Sequence, residues 1–304
     1  MRATFDSLRR LRPYLGTFVE IAVEGASIAA MEAAVEAAFA AISSVHRLMS
    51  FHDFDSDVSR LNRNAFKEAT VVHPWTFRVL KTALDLHGRS KGIFDIRMAP
   101  ALQMLGLLPY HQGDSPISAP SISDNCGIEL LSGQHVRFQD CSIRIDLGGI
   151  AKGFAVDRAI DSLVSHRMSS GLVNAGGDLA AFGQNGVPVT LRDPRCWSQA
   201  LCQVELCNAS LASSGAAFNP LKSLVASQST IIDPKTGNPP SAVIGATVCA
   251  PSCVLADALT KLVMISGVAS LPLLRQLDAS ALAMSAEGEV YLTPEWKNGA
   301  VLAA

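Results

Sequence analysis

An excess of charge of either sign is absent from the sequence. Its 25 basic and 27 acidic residues give a formal net charge of −2, and charged residues make up 17% of the 304-residue chain. A protein that holds nucleic acid through its phosphates carries a basic surface, so the composition gives no indication of such a partner. With 49% hydrophobic residues the chain is neither disordered nor fibrous, and it is long enough to bury a substantial core.

Cysteine pairs at metal-ligand spacing are also absent. The seven cysteines, an odd number, are scattered along the chain. They form no C-x-x-C pair and have no histidine at zinc-ligand spacing. We therefore expect buried, reduced thiols rather than a zinc site.

Long apolar runs and a secretory signal are lacking as well. No window of about 18 uninterrupted apolar residues occurs, as a transmembrane helix would need. The basic N-terminal segment MRATFDSLRRLRPYLGTFVEI is not followed by an apolar stretch and a cleavage site of small residues. We therefore expect a cytoplasmic protein without a transmembrane segment; a periplasmic protein is the alternative if the natural chain begins further upstream.

The first half of the chain contains the spacing of amphipathic helices. A strand is expected over 18–23, and apolar residues three and four apart predict a long helix over 31–45. A second helix is expected to open at Pro74 and to end at Gly92. The turn-forming residues of 109–125 predict an exposed loop within one domain, or a domain linker, and we favour a single domain over 1–304.

From residue 136 onward the pattern changes to short apolar runs separated by glycine. These runs predict strands, several of them antiparallel. One helix interrupts them after the glycines at 148 and 149, and another follows Pro251. The predicted fold class is therefore mixed α+β.

The segment IRIDLGGIAKG (143–153) is the first that suggests chemistry. We interpret it as a strand, a Gly-Gly turn and a helix start, where backbone N–H groups and the helix dipole can meet an anion such as phosphate. Lys152 adds a positive charge, and Asp146 could accept a hydrogen bond. The alternative is an ordinary strand-to-helix turn, since the segment matches neither the P-loop nor the dinucleotide fingerprint.

The segment ADALTK (256–261) is the second. Helical spacing places Asp257, Thr260 and Lys261 on one face, where oxygen atoms could hold a hard cation. The alternative is a surface ion pair between the aspartate and the lysine.

Two further segments place an aspartate immediately after apolar residues: GIFDIRMAP (92–100) and IIDPKTG (231–237). Both are structural turns by default. Asp95, Asp233 and the Gly-Gly-Asp of 176–178 gain a functional meaning only as parts of a common site, which no spacing rule demonstrates.

Taken in order, these segments resemble the ApbE family of flavin transferases, which cleave FAD and attach FMN to a protein threonine or serine. The resemblance covers most of the chain, and IDLGGIAKG is its most specific part. The matching segments are LGT (15–17), MSFHDFDSDVSRLN (49–62), GIFDIRMAP (92–100), IDLGGIAKGFAVD (145–157), NAGGD (174–178), SSG (213–215), IIDPKTG (231–237) and LADALTK (255–261).

The resemblance implies a one-domain, T-fold-like α+β structure that binds FAD in a cleft, with Mg²⁺ at the pyrophosphate. It also implies a metal site that involves Gly149 and Asp257. The residues implied to line the flavin site are Leu15, His52, Ile93, Phe94, Asp95, Asp146, Lys152, Thr230 and Ile231.

This chain departs from the family pattern inside that site. Leu15 replaces a methionine, His52 a tyrosine and Thr230 a histidine. Lys261 stands where the family has a metal-binding threonine, and a protonated lysine has no lone pair for a cation. Two alternatives follow: Thr260 supplies the oxygen instead, or the ammonium of Lys261, held by Asp257, occupies the metal position.

The reaction implied is attack of an acceptor hydroxyl on the FMN-side phosphorus of FAD, with AMP leaving. The residues expected to assist are Lys152, Asp257 and Lys261, with His52 as a candidate base. The partner would be an acceptor protein with a serine- or threonine-containing flavinylation motif. The alternatives are an FAD pyrophosphatase that gives FMN and AMP, and an FAD-binding protein with impaired catalysis.

Overall fold

The computed structural model describes residues 6–25, 27–111, 126–215 and 230–298. Within these ranges the chain forms a large antiparallel sheet, a small three-stranded sheet and a separate hairpin. The strands are β1 (Asp6–Tyr14), β2 (Thr17–Gly25), β3 (Thr70–Val71), β4 (Ile128–Leu131), β5 (His135–Phe138), β6 (Ser170–Ala175), β7 (Asp178–Phe182), β8 (Val187–Asp193), β9 (Cys196–Leu206), β10 (Ala209–Gly215), β11 (Val243–Ala250), β12 (Ser280–Ser285) and β13 (Val290–Leu292).

The large sheet has the strand order β1-β2-β6-β7-β10-β11-β12-β13, and every neighbouring pair is antiparallel. Strands β3, β5 and β4 form the small sheet, and β8 pairs with β9. The helices are α1 (Ile28–Met49), α2 (Asp57–Asn64), α3 (Pro74–Arg89), α4 (Ala99–Met104), α5 (Ala151–Ser165), α6 (Cys253–Ser266) and α7 (Leu271–Gln276). The predicted fold class, α+β with antiparallel strands and packed helices, is confirmed.

Both faces of the large sheet are covered at its central strands, where alternate side chains enter two different apolar clusters. On one face α1, α5 and α6 pack together, and Ala180 and Ala212 point into the core that they share. On the other face Leu179 and Leu211 join a second apolar cluster with residues of the β8–β9 hairpin. The site described below lies on the side of the three helices.

The turn between β1 and β2 brings the LGT segment into position. Tyr14 pairs with Thr17, which leaves Leu15 and Gly16 as a two-residue hairpin loop. Both loop residues have positive φ, 55° for Leu15 and 71° for Gly16, as the hairpin-favoured turn with a left-handed backbone requires. Glycine adopts this conformation without cost, whereas leucine rarely does, so the backbone at Leu15 is strained.

The four predicted helices are present as α1, α3, α5 and α6, whereas α2, α4, α7 and strand β1 were not predicted. The strand predicted at the start of IRIDLGGIAKG is wrong: residues 143–147 are irregular, because the main chain of Ile145 bonds to the side chain of Asn62 and that of Asp146 to Ile96 instead of to a strand. The loop predicted over 109–125 lies outside the described residues beyond position 111. All seven cysteines are free, but only Cys202 and Cys253 are buried; two others are partly exposed and three are exposed, so the prediction of buried thiols is wrong for those five.

Two stretches, Ile28–Met49 and Cys253–Gln276, are long and apolar enough to cross a membrane by length and composition. The core helices of globular proteins meet the same criterion. Phe39 and Ile42 of the first stretch, and Leu259 and Met264 of the second, are buried in the core between the helices and the sheet. We therefore interpret both stretches as core helices.

Candidate functional site

A cavity of about 630 Å³ opens between the C-terminal end of α1, the β1–β2 turn, the loop before α4, and the starts of α5 and of the IIDP segment. It is the kind of concave, largely apolar site with a few polar groups that binds small molecules. Most residues that the sequence predicts for the site line it: Leu15, His52, Ile93, Phe94, Asp95, Asp146, Gly149, Lys152, Thr230, Ile231 and Lys261.

The start of α5 forms the polar wall of the cavity. The main-chain N–H of Asp146 donates to the Ile96 carbonyl at 2.8 Å, and its carboxylate accepts from the N–H of Gly148 at 3.0 Å. Burial raises the pKa of the Asp146 carboxyl. Gly148 and Gly149 come directly before α5, and both line the cavity.

Helix α6 meets α5 at this wall. A Cβ atom on Gly153 would lie only 2.2 Å from the carbonyl oxygen of Cys253, so the two helices could not approach this closely with any larger residue. Asp257, which is fully buried, accepts from the N–H of Gly153 at 3.0 Å through Oδ2. The Gly-Gly helix start and the aspartate of α6 thus lie against each other, although about a hundred residues separate them.

The other oxygen of Asp257 is bound by the lysine one helical turn later. Lys261 Nζ forms an ion pair with Asp257 Oδ1 and also donates to the Asp257 carbonyl at 3.0 Å. Burial opposes ionisation of Asp257, but the positive charges of Lys152 and Lys261 outweigh it and hold the pKa of the carboxyl below its usual value.

A second ion pair lies beside the first. Lys152 Nζ pairs with Asp178, which is 1% exposed and follows the Gly176–Gly177 turn at the start of β7. Burial lowers the pKa of Lys152, but the carboxylates of Asp178 and Asp257 more than reverse this and raise it. Burial and the charge of Asp257 raise the pKa of Asp178. Two adjacent ion pairs therefore lie at this wall, and of the four residues only the two lysines line the cavity.

Comparisons with known proteins identify the family of the chain. The sequence model of the ApbE family matches residues 15–283, which is most of the chain. The chain belongs to the ApbE family. An FAD:protein FMN transferase of Vibrio cholerae is 30% identical over 237 residues, which cover 74% of this chain and 71% of the relative.

Solved structures of ApbE proteins share the fold. The Thermotoga maritima ApbE protein superposes with a TM-score of 0.84 at 24% identity, covering 96% of this chain and 98% of its own. The Pseudomonas stutzeri flavinyl transferase ApbE, in its apo form, has a TM-score of 0.81 at 22% identity and covers 98% of both chains. These structural matches establish the ApbE fold.

The residues present do not fit the Mg²⁺ that the ApbE resemblance implies. Both carboxylate oxygens of Asp257 already have partners, Gly153 and Lys261. No group of three histidine, cysteine, aspartate or glutamate residues that could hold a metal occurs in the described parts of the chain. A cation at this position would have to displace the ammonium of Lys261.

Thr260 is not placed as the sequence analysis expects of an oxygen ligand. Its hydroxyl donates to the Asp257 carbonyl at 2.7 Å and lies 2.7 Å from the hydroxyl of Ser214 in β10. The side chain is fully buried between α6 and the sheet and does not line the cavity. Of the two alternatives, the geometry thus disfavours Thr260 and places Lys261 at the cavity wall.

Asp95 borders the cavity, but its carboxylate is already bound. Arg97 Nη2 and Nε donate to the two oxygens at 2.7 and 3.0 Å, and both side chains are about 5% exposed. This pair fixes the loop that carries Ile93 and Phe94. The D-x-R spacing could have indicated the pair from the sequence.

His46 and most of the apolar lining were not predicted from the sequence. His46 lies in the last turn of α1 and is exposed, as is His52, so two histidines border the cavity. No local pattern distinguishes His46 from other helix-terminal histidines. The apolar lining residues that were not predicted are Val45, Met49, Phe51, Ile96, Met98, Leu102, Leu107, Leu108, Ala151, Ile232, Pro234 and Ile265.

Proposed function

We propose that this protein is an FAD:protein FMN transferase. It cleaves the diphosphate of FAD, attaches FMN through a phosphoester bond to a threonine or serine of an acceptor protein, and releases AMP. One observation carries the proposal: a single cavity combines an apolar interior with the Gly148–Gly149 helix start and two lysines on one wall. Such a cavity suits a ligand with a flat apolar ring at one end and a diphosphate at the other.

The apolar part of the cavity would hold the flavin ring. Leu15, Met49, Phe94 and Ile96 lie on this part of the lining, and Phe94 is buried at 6% exposure. The Arg97–Asp95 pair keeps the Phe94 loop in place, so the ring would enter a preformed pocket.

The polar wall would hold the diphosphate. The positive end of the α5 dipole and the ammonium groups of Lys152 and Lys261 all present positive charge to the same part of the cavity. Negative charge on the phosphoryl oxygens grows during phosphoryl transfer, and fixed positive charge stabilises that transition state. Asp178 and Asp257 position the two lysines.

The reaction forms one bond and breaks one. The acceptor hydroxyl oxygen bonds to the FMN-side phosphorus, the bond from that phosphorus to the bridging oxygen breaks, and AMP leaves with the electron pair. The hydroxyl proton passes to a base, for which we propose His52 because it is exposed at the cavity. We derive no step through Mg²⁺, because the residues at its expected position do not fit it.

Fluorescent flavin on protein tests the function directly. The purified protein is incubated with FAD and an acceptor protein that carries a serine- or threonine-containing flavinylation motif, and denatured samples are separated by gel electrophoresis. We expect flavin fluorescence that stays with the acceptor, and AMP released in equal amount. An acceptor with alanine at the motif hydroxyl is the control.

The same assay separates two alternatives. Free FMN and AMP with no labelled acceptor would identify an FAD pyrophosphatase. Tightly bound FAD that is never cleaved would identify an FAD-binding protein with impaired catalysis, an outcome to which the occupied Asp257 carboxylate gives some weight.

A further inference from the structure

A lysine stands at the position where a flavin transferase of this family is expected to hold a divalent cation. We propose that the ammonium of Lys261, held by Asp257, supplies the positive charge at the FAD diphosphate, so that this enzyme binds and cleaves FAD without Mg²⁺. The inference rests on the proposed function and concerns how the same site compensates the charge of its substrate.

The first support is the position of the ammonium. Lys261 lines the cavity with a side chain that is 16% exposed, and its Nζ is fixed by the carboxylate and the carbonyl of Asp257. Two contacts from one residue hold the group at a defined point, as a metal ligand set would hold an ion. The remaining N–H of the ammonium is available to a ligand, because the group has three donors.

The second support is the relation of Lys261 to the helix start. A Cβ built on Gly149 would lie 3.7 Å from Cε of Lys261, so the lysine stem passes directly over this glycine. The ammonium therefore lies beside the backbone that opens α5, on the wall that Lys152 also lines. A diphosphate at this helix start would meet both lysines.

The third support is the local balance of charge. Lys152, Lys261, Asp178 and Asp257 form two ion pairs and together carry no net charge. A divalent cation bound to Asp257 would have to break the Lys261 ion pair and leave that ammonium without its partner in a partly buried site. Such a loss is costly, so the present side chains favour the lysine over the metal.

The test uses the whole protein and begins with the wild type. FAD affinity is measured by titration calorimetry in EDTA and in Mg²⁺, flavin transfer is measured under the same two conditions, and metal content is measured by elemental analysis. We expect an FAD Kd that changes by less than about twofold between EDTA and Mg²⁺, transfer in both, and no stoichiometric metal.

Two substitutions sharpen the test. Lys261→Thr removes the ammonium and provides a hydroxyl, so we expect FAD affinity in EDTA to fall by about tenfold or more and Mg²⁺ to restore it. Lys261→Met removes the charge without adding an oxygen, and we expect a similar loss that Mg²⁺ does not restore. Lys81→Thr, an exposed lysine on α3 outside the cavity, is the matched control and should behave as the wild type. Circular dichroism confirms folding of each variant.

Each result decides the question. A wild-type enzyme that requires Mg²⁺ for FAD binding or transfer, or that retains one metal ion per chain, overturns the inference and leaves the proposed function intact. A Lys261→Met variant that binds FAD in EDTA as tightly as the wild type also overturns it. A wild-type protein that binds no FAD in either condition overturns the proposed function, and the inference with it.

Discussion

Two exposed histidines, His46 and His52, border the cavity, and either could accept the proton of an acceptor hydroxyl. We propose His52 for this role and expect His52→Phe to lower flavin transfer by about 100-fold, since a positioned base contributes on that order. Steady-state rates of flavin transfer to an acceptor protein measure the effect.

His46→Phe is the matched control, because it removes the same ring from the same cavity. We expect it to transfer flavin at close to the wild-type rate. A His52→Phe variant with the wild-type rate would contradict the assignment, and a large loss of rate in His46→Phe alone would transfer the role of base to that residue.

Single residues show how far sequence reasoning reaches. The chemistry of Lys152, Asp257 and Lys261 could be predicted, because side-chain type and helical spacing are local properties. Their partners could not all be predicted. Asp257 and Lys261 are one turn apart, and their pairing follows from helix geometry. Most of α5 and the whole of β6 separate Lys152 from Asp178 in the sequence, and only the folded chain brings these two residues together.

At the scale of elements, the close approach of α5 and α6 depends on Gly153. Alanine at this position would place its Cβ 2.2 Å from the Cys253 carbonyl oxygen and 2.8 Å from Cβ of Asp257. We expect Gly153→Ala to lower the free energy of unfolding by about 1–3 kcal/mol, because overlap in a packed core displaces the backbone. FAD affinity should fall as well, since Asp257 and Lys261 move with α6. Denaturant unfolding and FAD titration measure the two effects.

Gly88→Ala provides the comparison. Gly88 lies inside α3, and a Cβ there would meet nothing within 4 Å. We expect this variant to be more stable by about 0.4–1 kcal/mol, because alanine restricts the unfolded chain more than glycine does. A Gly153→Ala protein as stable as Gly88→Ala would show that α5 and α6 are not in the close contact described.

Asp157 joins the same two helices at a different point. Its two carboxylate oxygens accept from the N–H groups of Cys253 and Val254 in the first turn of α6, at 2.8 and 2.9 Å. Burial raises the pKa of Asp157 to about 6, against these two hydrogen bonds, which lower it. Between about pH 4 and pH 6 the native state therefore keeps a proton on this carboxyl. The unfolded chain, whose carboxyl pKa is near 3.8, has lost that proton in the same range.

The sign of the pH dependence follows from this shift. Between about pH 4 and pH 6 the native state binds more protons at Asp157, so the contribution of this group to stability falls as the pH rises. We expect the free energy of unfolding of the wild type, relative to that of Asp157→Asn, to fall by up to about 3 kcal/mol across this range, since each pKa unit corresponds to about 1.4 kcal/mol. Denaturant unfolding at several pH values measures it, and a wild type that keeps or gains stability relative to the variant as the pH rises would contradict the shift.

Strand β1 shows why one element could not be predicted. Its sequence DSLRRLRPY has arginines at three positions and a proline, which is the pattern of a solvated segment. The strand forms at the edge of the large sheet, where Arg9 and Arg12 pair with Glu20 of β2 and Glu36 of α1. These ion pairs join β1 to other elements, so its own sequence does not indicate them. Proline is tolerated in an edge strand because one side of the strand forms no ladder hydrogen bonds.

At the scale of the whole molecule, the meeting of distant motifs at one site could be predicted only from the resemblance to the ApbE family. Gly149 and Lys261 are more than a hundred residues apart, and no spacing rule relates them. They meet because α5 and α6 pack side by side on adjacent strands of one sheet. The order of motifs in the ApbE family predicts this meeting, whereas the periodicity of the apolar residues predicts only the separate elements.

The site draws on residues from the first hairpin to α6, so ligand binding should stabilise the chain as one unit. We expect a single cooperative unfolding transition, and FAD at about 100 times its Kd should raise the Tm by about 5 °C, because binding at this concentration adds about 2.7 kcal/mol. AMP, which lacks the flavin ring, should raise the Tm less at the same concentration. Differential scanning calorimetry measures both. Two separate transitions, of which FAD shifts only one, would contradict a single domain. The cavity is built from residues between the first hairpin and α6, so FAD can stabilise all of these elements together only if they unfold in one transition.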